Sequence, residues 1–395
     1  MEHTAPAPDA PDGPEDDAPE PGTLNAVLVL ASTSGGIGAH VRSLAQGLSA
    51  HGLEVTVCGP EETDRQFGFS GTGARFHPVE ITPTPGARSD AAAVGELRRA
   101  FASARASLVH AHGLRAALLS DLALRTARTD IPLVVTSHHA NLATGVERRL
   151  LRLMERRVAR AADLVLGASS DLVARARDLG AADARLGPVA APPLAPAVRS
   201  RDEVRLELLG KDADQDRPVV LAVGRLVPQK NFQLLLDAAT GWKAGKGGAQ
   251  APLVAIAGEG AEQAALKALI KAERLPVKLL GYREDVAELL AAADVVVIPS
   301  RWEARSLVAQ EALRAGVPLV ATAVGGLPEL VGDAAVLVPP GDATALAAAV
   351  SGLLASPEQR AELAAQGRAQ AETWPDEADT VAQVLSVYDE LVAAP

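Results

Sequence analysis

The stretch Val219-Val220-Leu221-Ala222-Val223-Gly224-Arg225-Leu226-Val227-Pro228-Gln229-Lys230-Asn231 reads as a buried strand that ends at a glycine and turns through a proline into a helix. Its five leading residues are all apolar and show no alternation, as expected of a parallel strand covered on both faces by helices. Arg225 and Lys230 follow at the strand's carboxyl end, where open α/β sheets bind their ligands. A planar guanidinium and a point-charge ammonium beside a helix N-terminus are suited to one diphosphate. The plainer reading is a basic loop that caps a helix.

The same unit recurs in both directions along the chain. Toward the C-terminus, Leu253–Ala257, Val277–Leu280, Val295–Ile298, Leu319–Ala321 and Ala335–Val338 are apolar runs, each followed by a helical segment. Toward the N-terminus, Leu24–Ala31, Glu54–Cys58, Leu108–His110, Leu133–Ser137 and Asp163–Gly167 form an equivalent series. The prolines of Leu186–Ser200 and the charged stretch to Asp216 separate the two series. The expected architecture is α/β, with two doubly wound, Rossmann-like domains facing a central cleft. The expected division is a first domain over 23–195, a linker over 196–216 and a second domain over 217–375. Residues 376–395 are read as an amphipathic helix packing back toward the first domain.

Composition narrows the function classes. The chain has 395 residues, 48% of them hydrophobic and only 3% aromatic, which favours two cores of Ala, Val and Leu built helix against sheet. Residues 1–22 hold seven acids and neither Lys nor Arg, so the formal charge of −11 falls mostly on a Pro-rich leader expected to be disordered. With about −4 left on the body, no global field attracts nucleic acid, and any anion site must be local. The leader lacks the basic start and apolar run of a signal peptide, and every apolar run is too short to span a bilayer. Cys58 is the single cysteine, which excludes an intrachain disulfide. A soluble cytoplasmic protein is the expectation.

Further motifs occupy other strand ends. Gly35-Gly36-Ile37-Gly38 follows the first strand and opens a helix, letting backbone N–H groups approach a phosphate or sugar oxygen. A nicotinamide site would want an acid after the second strand, but Cys58-Gly59-Pro60 stands there. Glu303 in Pro299-Ser300-Arg301-Trp302-Glu303 lies in a loop, and Glu311 lies in the first turns of the next helix. Carboxylates so placed can accept hydrogen bonds from vicinal hydroxyls, although either alone also fits a solvated helix charge.

In combination and order, these motifs with Gly258-Glu259-Gly260, Gly281-Tyr282-Arg283 and Val324-Gly325-Gly326-Leu327-Pro328-Glu329 resemble glycosyltransferase family 4, retaining enzymes of the GT-B fold. The resemblance covers nearly the whole chain after the leader. It implies that Arg225 and Lys230 hold the donor diphosphate, Glu303 contacts the transferred sugar and Glu311 the ribose. It also implies that Leu280–Arg283, including Tyr282 and Arg283, holds the base, largely through backbone atoms. Gly35, Gly36, Gly258, Ser306 and Leu307 would complete the donor site, and His138 would stand near the transferred sugar. No cofactor or metal is implied beyond a nucleoside diphosphate sugar donor, UDP- or GDP-linked. The chain departs from the family pattern at Arg305-Ser306, where an aromatic residue and a glycine are common, which puts the sugar's identity in question.

His110, His112, His138 and His139 end strands of the first domain. No acid or cysteine accompanies them at ligand spacing, so they read as polar residues near substrate and not as a zinc site. The segment Glu147–Arg160 interleaves six arginines with apolar residues at helical spacing. It suits an anionic membrane surface or an anionic acceptor, or else a solvated face paired to Glu147 and Glu155. Two other functions fit the scaffold: a nucleotide-sugar epimerase and a noncatalytic sugar-nucleotide sensor.

Overall fold

The computed structural model describes residues 24–33, 35–140, 142–187, 189–242 and 251–393. The acidic leader 1–22 and Ser34 of the first glycine loop lie outside the described residues.

The first domain carries seven strands: β1 (Asn25–Leu30), β2 (Glu54–Gly59), β3 (Arg75–Pro78), β4 (Leu108–His112), β5 (Leu133–Ser137), β6 (Leu164–Gly167) and β7 (Ala184–Leu186). The second carries six: β8 (Val219–Val223), β9 (Leu253–Ala257), β10 (Val277–Gly281), β11 (Val295–Ile298), β12 (Leu319–Thr322) and β13 (Val336–Val338). Their orders are β3-β2-β1-β4-β5-β6-β7 and β10-β9-β8-β11-β12-β13, and the paired strands within each sheet run parallel. These are two doubly wound α/β domains, as the unbroken apolar runs require. All six residues of β1 and all five of β9 are buried, with helices on both faces.

Connections leave β1 and β4, or β8 and β11, in opposite directions, so a crevice opens between each adjacent pair at the sheet's carboxyl edge. The residues that follow these four strands are the glycine loop, the His112 turn, Gly224–Asn231 and Pro299–Glu303. The topology therefore gathers the chemically suggestive segments at two switch points.

The stretch read as linker is not free chain throughout. Ser200 caps the helix Arg201–Leu209 in a reciprocal capping box with Glu203, and Val204 and Leu208 of that helix are buried in the second domain's core. Arg205, 5% exposed, pairs with Asp294 at 3.1 Å and donates to the carbonyls of Ala292, Gln215 and Arg217. Arg205 thus seals the edge of the second domain's core, whereas Asp212, Asp214 and Asp216 are exposed. The helix Glu377–Ala393 leaves the second domain and packs on the first-domain helix Gly36–Ala50, where Val381 meets Gly47 and Tyr388 is fully buried.

The domains also touch directly. Trp302 Nε1 donates to Asp171 Oδ2 at 2.8 Å, Ser170 N to Glu329 Oε1 at 3.0 Å, and Ala191 N to Gln310 Oε1 at 3.0 Å. A small apolar cluster of Ala168, Leu172, Val189, Trp302 and Ala304 closes this side of the cleft.

Candidate active site

The loop Gly224–Asn231 is laced to the loop after β11. Arg301 N donates to Gln229 O at 2.8 Å, Gln229 Nε2 to Trp302 O at 3.0 Å, and Asn231 Nδ2 to Pro299 O at 3.3 Å. Within this frame Lys230 Nζ reaches Glu303 Oε1 at 2.6 Å, and Ser300 Oγ donates to the same oxygen at 2.6 Å. Glu303 is 6% exposed, and Lys230 is half-buried. Arg225 projects into the cleft and has no ion-pair or hydrogen-bond partner for its side chain among the described residues.

Glycines permit the close backbone approach. A Cβ on Gly258, whose φ is +140°, would lie 1.9 Å from Gly224 O, and Gly258 N donates to Gly281 O at 2.7 Å. The loop carrying Arg225 is thus pressed onto the loop after β9. Behind Glu303, a Cβ on Gly325 (φ +52°) would lie 2.0 Å from Glu303 O.

Ser306 caps the helix Leu307–Arg314 through its hydroxyl, which accepts from Ala309 N at 3.4 Å. That helix carries Glu311, whose carboxyl pKa is raised by burial and only partly offset by the Arg314 charge. Leu307 faces Gly36 across the cleft: a Cβ on Gly36 would stand 3.1 Å from Leu307 Cδ1. The helix Gly36–Ala50 has no side-chain cap and no acid in its first turn, so its N-terminal amides are directed to the cleft without a competing carboxylate.

Tyr282 is 69% exposed at the far end of this wall. The Arg283 side chain is engaged by acids. Its guanidinium pairs with Asp285 and Glu207, each at 2.6 Å, and Arg199 joins the same acids. These hydrogen bonds raise the Arg283 pKa and lower that of Asp285 to about 2. Only the Arg283 backbone is left for a ligand. The Arg305 guanidinium lies 5.9 Å from the Trp374 ring centroid, beside Glu329, and burial lowers its pKa to about 10.

On the first-domain side, His138 is buried and its Nε2 lies 3.3 Å from His112 Nδ1. His40, from the helix Gly36–Ala50, joins them, and the three rings offer nitrogens within 4.8 Å of one another. Burial lowers all three pKa values, His40 to about 4, so the rings are neutral at pH 7. No carboxylate or cysteine belongs to this group among the described residues. His110 does not line the cleft. It is buried between Tyr388 Oη and Thr136 Oγ1, each 2.7 Å from a ring nitrogen. His139, by contrast, is exposed in the cleft, and enclosure there together with the Arg225 charge lowers its pKa. Glu303 and Lys230 act on the same ring, which sets His139 opposite the second domain's Arg225, Lys230 and Glu303. The sequence signal for His40 was absent, because a lone histidine on a helix resembles any core position. His139 was visible only as the neighbour of His138.

These walls enclose a cavity of about 760 Å³ lined by residues that include Ile37, His112, His138, His139 and Arg225.

Two family models match the chain: "Glycosyl transferase 4-like domain" over residues 35–191 and "Glycosyl transferases group 1" over 210–370. The chain belongs to the family 4 glycosyltransferases. It is a glycosyltransferase of GT-B fold. Among curated proteins it is similar to a 2-deoxystreptamine N-acetyl-D-glucosaminyltransferase of Streptomyces fradiae, 29% identical over 82% of this chain and 84% of that protein. Among solved structures it is similar in fold to sucrose-phosphate synthase from Thermosynechococcus elongatus, with a TM-score of 0.76 and 22% identity over 94% of this glycosyltransferase and 100% of that chain. It is also similar in fold to Anabaena HepE in complex with UDP-glucose, with a TM-score of 0.76 and 21% identity over 92% and 99% of the two chains.

Proposed function

We propose that this glycosyltransferase moves a hexosyl group from a nucleoside diphosphate sugar to an acceptor hydroxyl, with retention of anomeric configuration and without a metal. The observation that carries the reading is the pairing of an unengaged Arg225 with Lys230 at the second domain's switch point, facing His139 across the cleft. On donor binding, Lys230 leaves Glu303 for the diphosphate, and the freed Glu303 carboxylate accepts from sugar hydroxyls. Glu311 accepts from the ribose, and amides of Gly35, Gly36, Ser306 and Leu307 face the phosphates and sugar. HepE, similar in fold, is a complex with UDP-glucose, which supports a UDP-linked donor, with GDP as the other base on the same geometry.

In the transfer, the acceptor oxygen bonds to the anomeric carbon on the face from which the nucleotide departs. The bond from that carbon to the β-phosphate oxygen breaks, and the acceptor proton passes to the departing phosphate. Arg225 and Lys230 stabilise the charge that develops there without reorganising. His138, neutral and buried, borders the transferred sugar. Glu303 and Glu311 serve as hydrogen-bond acceptors and not as a hydrolase-type acid and base.

The arginine-rich helix Gly145–Ala161 supports peripheral contact with an anionic membrane from the cytoplasmic side. Its outward face exposes Val146 (81%), Leu150 (57%) and Leu153 (65%) beside Arg148, Arg149, Arg152 and Arg156, none of which has an ion-pair partner among the described residues. Among the described residues, no helix is long and apolar enough to cross a membrane.

The test is incubation with UDP-, GDP- and ADP-linked sugars in excess chelator, with product followed by NMR. Retained configuration and undiminished turnover are expected. An inverted product, or activity lost with the metal, would sink the mechanism. Conversion of the donor alone into its epimer would instead assign an epimerase.

A further inference from the structure

The cleft cavity does not end at the histidines. It continues beneath the helix Gly145–Ala161, where its wall is Val135 and Val165 of the sheet, Leu151 and Val158 of that helix, and Leu172 and Leu179 of the helix Ser170–Leu179. Only Val158 and Ala159 of the 17 residues in the arginine-rich helix are buried, so the helix stands off the sheet and leaves the space open below it. The Glu155–Arg175 ion pair, 2.5 Å, joins the two helices at this cavity. One continuous space therefore grades from Arg225 and His139 at the cleft to aliphatic side chains inside the first domain.

Apart from the Glu155–Arg175 pair, whose charges already satisfy each other, a sugar hydroxyl placed beneath the helix would face aliphatic carbon and lose its hydrogen bonds to water, a cost that a purely polar acceptor recovers poorly. An apolar chain there loses only water contact, which is favourable. We propose that the acceptor is an amphiphile, its reacting hydroxyl at the His139 end and its apolar portion lodged beneath the helix Gly145–Ala161. The same helix faces outward with Val146, Leu150 and Leu153, so the pocket lies directly behind the surface suited to a bilayer. The position of the reacting hydroxyl rests on the glycosyl-transfer reading of the cleft; the apolar pocket does not.

Calorimetric titration of the full chain with methyl and octyl β-glucoside, the latter kept monomeric, tests the proposal. Each buried methylene is expected to tighten binding about fourfold, so octyl glucoside should bind at least about 100-fold tighter than methyl glucoside. Leu151→Asp places a charge in the pocket and Leu151→Trp fills it with an apolar ring; both should abolish the octyl advantage while thermal unfolding stays cooperative. Equal binding of the two glucosides, or wild-type octyl binding by both variants, overturns the proposal. UDP and GDP titrations in parallel keep the readings apart, since failure to bind either nucleotide removes the donor assignment and leaves the pocket result standing.

Discussion

Lys230 Nζ lies 2.6 Å from Glu303 Oε1, so the cation assigned to phosphate and the carboxylate assigned to sugar hold each other. Each keeps the other from burial without a partner, and the donor can replace both contacts at once. Lys230→Ala is expected to lower kcat on the order of 100-fold, measured by donor turnover, because it removes the charge proposed to stabilise the leaving diphosphate. Ser300 still donates to Glu303 at 2.6 Å, so the melting temperature should change far less than turnover. A variant with wild-type turnover would refute the phosphate role.

Gly258→Ala directs a methyl group at Gly224 O from 1.9 Å and requires alanine at φ +140°. Destabilisation above about 2 kcal/mol is expected, together with weaker UDP or GDP binding, since the loop carrying Arg225 must move. Chemical denaturation and calorimetry report the two effects separately.

Arg283→Ala separates architecture from recognition. Its guanidinium is occupied by Asp285 and Glu207, so a lower melting temperature is expected with a donor KM changed no more than about twofold. A large rise in KM with unchanged stability would return the side chain to the base site.

Acid should destabilise the first domain. His110 is held to a folded pKa of about 3 and His40 to about 4, both depressed by burial from an ordinary value near 6.5. Between those values the unfolded chain binds protons that the folded chain does not, so stability is present in full above about 6.5 and falls as pH drops toward 4. Each such histidine contributes up to about 1.4 kcal/mol per pH unit in that window. Urea unfolding at pH 7.5 and 5.5 should show the loss, and His110→Gln should reduce it.

Leu150→Asp with Leu153→Asp should abolish co-sedimentation with vesicles containing phosphatidylglycerol without altering UDP or GDP binding. Equal pelleting of the double variant would remove the membrane role of the helix.

Most strands were legible because two covered faces demand an unbroken apolar run, as in Val219–Val223 and Leu253–Ala257. The edge strands Arg75–Pro78 and Ala184–Leu186 were not, since neither is an apolar run, whereas the edge strands Val277–Gly281 and Val336–Val338 keep one. Spacing identified Arg225, Lys230 and Glu303 as chemically able, but nothing in it says that Lys230 and Glu303 bond to each other. The same gap explains Arg283 and Arg305: a charged residue beside a site motif looks alike whether it faces ligand, an acid pair or Trp374. The His40, His112 and His138 group depends on three distant segments meeting, which no local pattern encodes.

The docking of Val381, Val384, Val387 and Tyr388 into the core formed by Leu28, Val41 and Leu44 bears on how the chain is made. During synthesis the first half emerges with this apolar face uncovered and with His110 still missing its phenol partner. Its folding can be completed only after the helix Glu377–Ala393 has left the ribosome, so maturation of the amino-terminal half waits on translation of a segment encoded beyond the whole second domain.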